Sequence, residues 1–271
     1  LHPPRISKSR SPMPEGHTIH RAARDHRKIL KNRYLAISSP QGRFEDGAAW
    51  LNGRLCEDVE AYGKHLIYCF EGETFLHVHL GLFGRIRKRK LPEPEPQGAV
   101  RIRMIGDTHL IDINGPTACE ILDPDDLTKL TSRIGPDILR ADADPERVYT
   151  RISKSRSPIG KLLMNQSVLA GIGNIYRSEI LWRQGIHPDR PGKNLSKDDF
   201  ERLWADAVHL LEIGVKRNAI ITVDEAAPGR GRYRERVNIF GKRSCPTCAG
   251  NITQVEIDTR KAYFCAACQA D

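Results

Sequence analysis

No run of apolar residues in this chain is long enough to cross a bilayer, and no secretory signal pattern opens it. Helical membrane spans are thereby excluded, and export is disfavoured. A disulfide framework is missing too. Seven cysteines form an odd, uneven set, with Cys56, Cys69 and Cys119 scattered and the other four in two C-terminal pairs. A reducing, cytoplasmic setting fits that usage. Nor is there a solenoid. Arg5 to Pro12 recurs letter for letter as Arg151 to Pro158, yet nothing around the two copies repeats. The first copy reads as part of a leader or artefact, residues 1–13, and is set aside from fold reasoning. The second runs into a helix at Ile159-Gly160-Lys161.

What is present is length and positive charge. The 271 residues suggest two domains, or one plus a small module, with enough chain for a real core. A formal net charge of +9, spread along the sequence, favours a polyanionic partner, nucleic acid or an anionic membrane face.

Met13-Pro14-Glu15-Gly16 is the stretch with the most chemistry in it. With Met13 removed, Pro14 presents an α-amine whose pKa lies near 8 against about 10.4 for a lysine side chain, so more of it is neutral and nucleophilic. A secondary amine attacking a sugar C1′ gives an iminium directly, and Glu15 is close enough to move protons. While Leu1 to Met13 stay attached, the Pro14 nitrogen is a tertiary amide and cannot attack. Glu15 to Lys31 has helical spacing at Ile19, Ala22, Ala23, Ile29 and Leu30, which places the amine on a rigid element.

From Tyr34 to about Cys119 the period changes to that of strands. Leu66 to Phe70 and Phe75 to Leu80 flank the turn Glu71-Gly72-Glu73-Thr74, and Val100 to Met104 alternates apolar and basic. Several such strands imply a β-sandwich or barrel, with the Pro-rich Leu91 to Gln97 as a surface loop. In Tyr62-Gly63-Lys64-His65, the lysine either reaches a phosphate from a turn or is solvated. Leu82 and Phe83 lie between Gly81 and Gly84, just before the basic run Arg85 to Lys90. That composition suits a wedge pushed into a base stack and equally a core-facing bend.

Gly135-Pro136-Asp137 and the acidic stretch to Pro145 read as an interdomain linker. Helices are expected from Ile159 to about Leu169 and from near Ile175 to Gln184. Ser196-Lys197-Asp198-Asp199 has capping-box spacing ahead of an apolar stripe, Phe200, Leu203, Trp204, Ala207, Val208 and Leu211, which is core. Between the first two helices, Gly171-Ile172-Gly173-Asn174 allows close backbone approach and offers helix N-terminal amides to an anion; a plain turn is the other reading. Pro228 to Arg232 is a basic surface loop. The most specific motif is last. Cys245-x2-Cys248 and Cys265-x2-Cys268 have the count and spacing of a structural four-cysteine zinc site, with a hairpin between them carrying Arg260 and Lys261 near its tip.

Together these motifs resemble the formamidopyrimidine-DNA glycosylase and endonuclease VIII family of base-excision repair enzymes. The resemblance spans Met13 to Gln269 and adds Gly63-Lys64, His79-Leu80-Gly81 and the run Gln166 to Glu179 to the motifs above. It implies an α+β chain: an N-terminal helix with a β-sandwich domain (14–136), a linker (137–158), a helix-two-turns-helix domain (159–240) and a β-hairpin zinc finger (241–271). It further implies that Pro14 forms a Schiff base with C1′ while Glu15 transfers protons, followed by β,δ-elimination. Lys64, Asn174 and Arg260 then hold phosphates around a flipped nucleotide, and a single structural Zn2+ sits on the four cysteines. Damaged DNA is the implied partner of a monomeric, cytoplasmic, nucleoid-associated protein. Where the formamidopyrimidine branch fills the vacated stack with Met and an Arg-Phe loop, this chain has Leu82-Phe83 and Asn114-Gly115-Pro116-Thr117, closer to endonuclease VIII, which favours oxidised pyrimidines over purines. Retention of the leader would instead give a non-cleaving lesion binder. A zinc-ribbon protein of transcription or translation explains the finger and charge but not the Pro-Glu start.

Overall fold

The computed structural model describes residues 14–224 and 235–270; the leader and the Pro228 to Arg232 loop lie outside the described residues. Helix α1 (Gly16–Leu30) opens the fold. Ile19, Ala22, Ala23, His26 and Leu30 recur at helical spacing and are buried, so one face of α1 turns inward. That face packs on β3 and β4 of the sandwich, and the helix also touches α7 of the helical half.

The sandwich has two antiparallel sheets. One runs β1 (Arg33–Tyr34), β3 (Leu55–Tyr62), β4 (His65–Phe70), β5 (Thr74–His79) and β9 (Ala118–Leu122). The other runs β2 (Ala36–Ser38), β7 (Val100–Ile105), β8 (His109–Asn114) and β6 (Arg85–Lys90). Val59, Leu66, Tyr68 and Val78 of the first sheet meet Ile102, Met104, Ile111 and Ile113 of the second in one core. Burial pushes the thiols of Cys56, Cys69 and Cys119 up to about 12, so these three are inert packing residues.

Strand β7 departs from simple alternation. Arg103 is as buried as its apolar neighbours, because the Pro-rich loop folds over it. Its guanidinium donates to both oxygens of Asp112 at 2.7 and 2.9 Å, to Glu93 at 2.6 Å and to the Pro94 carbonyl at 2.9 Å. Removing one partner from such a pair costs about 3–5 kcal/mol.

Helix α2 (Glu45–Leu51) interrupts the stretch read as strands, α4 (Pro145–Ser153) falls in the stretch read as linker, and α3 (Pro124–Ser132) lies between the two. The last two start alike, with an aspartate cap and proline at the first turn. Asp123 accepts from the Asp126 amide at 2.8 Å and Asp144 from the Arg147 amide at 3.0 Å. The expected helix from Ile159 to Leu169 is a single turn, α5 (Ile159–Leu162). Side chains compete with the backbone beyond it: Asn165 accepts from the Ser167 amide at 3.0 Å, and Gln166 accepts from the Gly171 amide at 3.1 Å.

Helices α6 (Asn174–Arg183) and α7 (Lys197–Arg217) complete the helical half. Ser196 caps α7 by accepting from the Asp199 amide at 3.1 Å, and Phe200, Leu203, Ala207 and Leu211 join Ile175, Tyr176 and Ile180 in a second core. The C-terminal hairpin, β10 (Ile252–Ile257) and β11 (Arg260–Cys265), turns at Asp258-Thr259, both at positive φ, and packs on α6. Among the described residues no helix is long and apolar enough to cross a membrane.

Where α1 meets the sheet, buried His26 pairs with the Tyr68 hydroxyl at 2.7 Å. Burial holds His26 down at about 3 and His17 at about 4. Both folded values are depressed, so the stability these histidines contribute is present above the unfolded pKa near 6.5 and is lost as pH falls towards the folded values. The loss is about 1.4 kcal/mol per pH unit for each. His65 is held down to about 3 and His79 is lowered as well, both chiefly by burial. Thermal unfolding should therefore show Tm falling from pH 6.5 to 4.5, and His26→Gln should reduce that slope by about a third or less.

Candidate active site

Glu15 sits at the N-cap of α1 in extended backbone, and its carboxylate does not cap its own helix. It crosses to α6 instead. There it accepts from the Gly173 amide at 3.0 Å, the Ile175 amide at 2.9 Å and, at longer range, the Tyr176 amide at 3.5 Å. The amides read as open to an external anion are therefore held by an internal one, as a helix N-terminus favours. Glycine at 173 is needed for that approach, since a Cβ there would lie 2.3 Å from Glu15 Cδ. Gly16 likewise meets Gly171, donating to its carbonyl at 2.8 Å. Burial raises the Glu15 pKa above the usual carboxylate value, and Lys64 with the three amides opposes the rise.

Lys64 follows Gly63, whose positive φ of 58° turns β3 back into β4. Its ammonium donates to the Ile172 carbonyl at 2.8 Å. Burial lowers its pKa; Glu15 raises it in part, and Arg260 adds to the lowering. The lysine is thus neither solvated nor free-standing.

Asn174, the first residue of α6, is 7% exposed. Its amide nitrogen donates to the Lys261 carbonyl at 3.1 Å, and its oxygen accepts a short bond from Arg177. Arg177 so fixes which way the amide faces. Arg260 heads β11 on the exposed side of the hairpin.

Pro14, Glu15, Lys64, Asn174, Arg260 and Leu82 share one small cleft of about 120 Å³, with His79 on its wall. Phe83 lies beside Leu82 on the five-residue turn closed by the Gly84 amide donating to the Leu80 carbonyl at 2.9 Å. Leu82 is 49% and Phe83 85% exposed, which rules out a core-facing bend. Gly81 lets this turn leave the sheet, with φ at +62° and no room for a Cβ against Thr117.

Two contributors carried no motif-level reading of their own. Glu179 is fully buried and receives Thr222 Oγ1 at 2.6 Å and the amides of Asn238, Ile239 and Phe240 at 2.7, 2.8 and 2.7 Å. It moors the chain that leads into the finger. Asp137 is the other, in the stretch read as a linker. It is buried, and the stretch is anything but slack.

The sulfurs of Cys245, Cys248, Cys265 and Cys268 all lie within 4.8 Å of one another, with Cys245–Cys268 at 3.8 Å and Cys248–Cys265 at 3.5 Å. Four thiolates about 2.3 Å from a tetrahedral ion would stand about 3.8 Å apart. The set fits one metal ion. Gln269 braces it, accepting from the Cys265 amide and donating to the Ile186 carbonyl, both at 2.8 Å.

A β-sandwich joined to a helical half and ended by a four-cysteine hairpin, with a proline and a glutamate in the cleft between them, defines the helix-two-turns-helix class of DNA glycosylase. Residues 13–116 match the formamidopyrimidine-DNA glycosylase N-terminal domain, and 134–225 match the formamidopyrimidine-DNA glycosylase H2TH domain. The chain is 42% identical over 267 residues to Endonuclease 8 1 of Mycobacterium tuberculosis, covering 95% of this chain and 100% of that one. It is 30% identical over 286 residues to the formamidopyrimidine-DNA glycosylase of Chloroflexus aurantiacus, covering 97% and 94%. A mutant Lactococcus lactis Fpg in complex with Fapy-dG containing DNA superposes with a TM-score of 0.79 at 26% identity, over 95% of this chain and 100% of that one. The chain belongs to the formamidopyrimidine-DNA glycosylase and endonuclease VIII family of base-excision repair.

Elemental analysis of the purified protein should find one metal equivalent per chain. Cys248→Ser should abolish it, whereas Cys119→Ser, in the sandwich, should leave it intact.

Proposed function

We propose that this protein, with Pro14 as its chain terminus, is a bifunctional DNA glycosylase and abasic-site lyase acting on oxidised bases. The observation that carries the reading is the cleft shared by Pro14, Glu15, Lys64, Asn174 and Arg260, with an exposed apolar pair at its rim. The Pro14 nitrogen attacks C1′ of an extruded nucleotide. The N–C1′ bond forms as the glycosidic bond breaks, and the base leaves with a proton. Glu15, next to Pro14 and with its pKa raised by burial, is placed to carry that proton. The C1′–O4′ bond then breaks, the ring oxygen takes a proton, and the nitrogen lone pair completes an open-chain iminium. This acidifies the C2′ proton, whose removal expels the 3′ phosphate, and a second elimination expels the 5′ phosphate.

Lys64, Arg260 and Asn174 hold the phosphates flanking the extruded nucleotide, and Leu82 and Phe83 occupy the space it leaves. One N–H of the Asn174 amide is held by the Lys261 carbonyl, and the second is left to donate to a phosphate. Zinc suits the four thiolates, in a structural role, because a closed thiolate set leaves no open position for a reactant. Residues 14–136 supply nucleophile and wedge, 159–240 the helical grip, and 241–271 the finger, in a monomer acting on nucleoid DNA in the cytoplasm. Leu82-Phe83, the Asn114-Gly115-Pro116-Thr117 turn and the likeness to Endonuclease 8 1 support oxidised pyrimidines as the preferred lesions.

Borohydride should trap a covalent complex between protein beginning at Pro14 and DNA bearing an abasic site. Protein that keeps residues 1–13 should give no such band, and equal trapping by both forms would overturn the assignment of the attacking nitrogen. Glu15→Gln should slow base removal by about 100-fold or more, in line with the worth of a general acid, and slow abasic-site cleavage far less. Equal losses would remove Glu15 from the proton-transfer step.

A further inference from the structure

Asp137 comes from the segment that joins the two halves, yet its side chain is only 3% exposed. Its Oδ2 accepts from the Gly63 amide at 2.6 Å and lies 2.7 Å from His20 Nε2, while Oδ1 accepts from the Leu139 amide at 3.0 Å. Its backbone forms a parallel bridge with Ala170, reinforced by the Ala170 amide donating to the Pro136 carbonyl at 3.0 Å.

These partners belong to the three pieces of chain that build the cleft. His20 is on α1, a turn beyond Glu15. Gly63 precedes Lys64 in the β3–β4 turn. Ala170 starts the loop whose Gly171 carbonyl receives the Gly16 amide, whose Ile172 carbonyl receives the Lys64 ammonium, and whose Gly173 amide binds Glu15. One carboxylate therefore sits behind the site and touches each of its walls.

We infer that Asp137 is a positioning residue, which sets Lys64 and the 170–173 loop against Glu15 by accepting from the Gly63 amide at the point where both halves of the protein meet. The inference rests on the role given to Lys64 above. Only an acid meets the demand. Both oxygens of Asp137 accept, and a carboxylate is the side chain with acceptors on both atoms. An asparagine would have to aim its NH2 group at a backbone N–H on one side or the other. The Gly63 turn lies close against the same loop, since a Cβ built there would stand 2.9 Å from the Ala170 Cβ.

The test uses the full protein beginning at Pro14 and compares Asp137→Asn, Lys64→Ala and the double variant in single-turnover cleavage of abasic DNA. Asp137→Asn should slow cleavage by about 10- to 100-fold, the scale of an ångström-sized misplacement, with DNA affinity changed less than about threefold. In the Lys64→Ala background the same change should cost under about threefold, since the two act as one unit. Equal losses in both backgrounds, or no loss in the first, overturn the inference. If Asp137→Asn fails to fold, Asp137→Glu, which keeps both acceptors at a longer reach, enters the same cycle. A second readout needs no activity. In DNA-free protein with 15N-glycine, the Gly63 amide proton should resonate well downfield and exchange slowly, and Asp137→Asn should abolish both. An unmoved Gly63 resonance sinks the positioning role even where cleavage falls. Failure of the unmodified protein to trap abasic DNA would instead sink the lyase reading and leave the Gly63 result standing.

Discussion

The structure turns on one carboxylate reaching from one helix to the first amides of another. Glu15 begins α1, packed on the sandwich, and ends against the N-terminus of α6, the centre of the helical half. An uncovered helix N-terminus inside a protein leaves several amides without partners, which is costly, and a buried carboxylate without donors is costlier still. Each removes the other's penalty. The contact thereby locks the two halves in register and places Pro14, one residue earlier, at the mouth of the cleft. Close approach is possible because glycine stands at 16 and 173, where a Cβ would collide, and at 171, where φ is +101°.

Around that contact the charge distribution is lopsided. Besides burial, Arg260 lowers the pKa of both Lys64 and Arg177, and Glu15 raises both. Arg177 is buried and held down to about 10, burial being the main cause and Arg260 the next. Such an excess of positive charge in a dry site is a standing cost to the free protein, offset when phosphates arrive. The finger takes part as well: its hairpin supplies Arg260, and its Lys261 carbonyl accepts from the Asn174 side-chain amide. Metal, finger and helix N-terminus form one mechanical unit.

Much of this was legible in the sequence, for physical reasons that differ from place to place. The stripe on α7 and its Ser196 cap follow from local periodicity, and the metal centre from ligand count, so both stand as expected. Leu82 and Phe83 were balanced between wedge and core, and only solvent exposure could decide. Helices α3 and α4 announced themselves with Asp-Pro starts but lay in stretches dominated by other signals. Helix α5 is shorter than its apolar spacing suggests because Asn165 and Gln166 redirect the backbone, an effect periodicity does not register. Long-range pairings were the true blind spot. Local pattern makes Glu15 a proton carrier and leaves the Gly-Ile-Gly-Asn turn open between an anion site and a plain turn; that the carboxylate binds the turn's own amides is not written in either segment. Asp137 joins residues 74 and 117 positions away, which no local pattern encodes.

Glu179 has a consequence for how this scaffold can change over evolution. It grips Thr222 on the way out of the helical core and Asn238 to Phe240 on the way back, so both ends of the intervening stretch are anchored at one point. The entropy of closing a loop between fixed ends grows only as the logarithm of its length. A change in chain length between those anchors therefore costs little closure entropy, and the Glu179 contacts that hold both ends are independent of it.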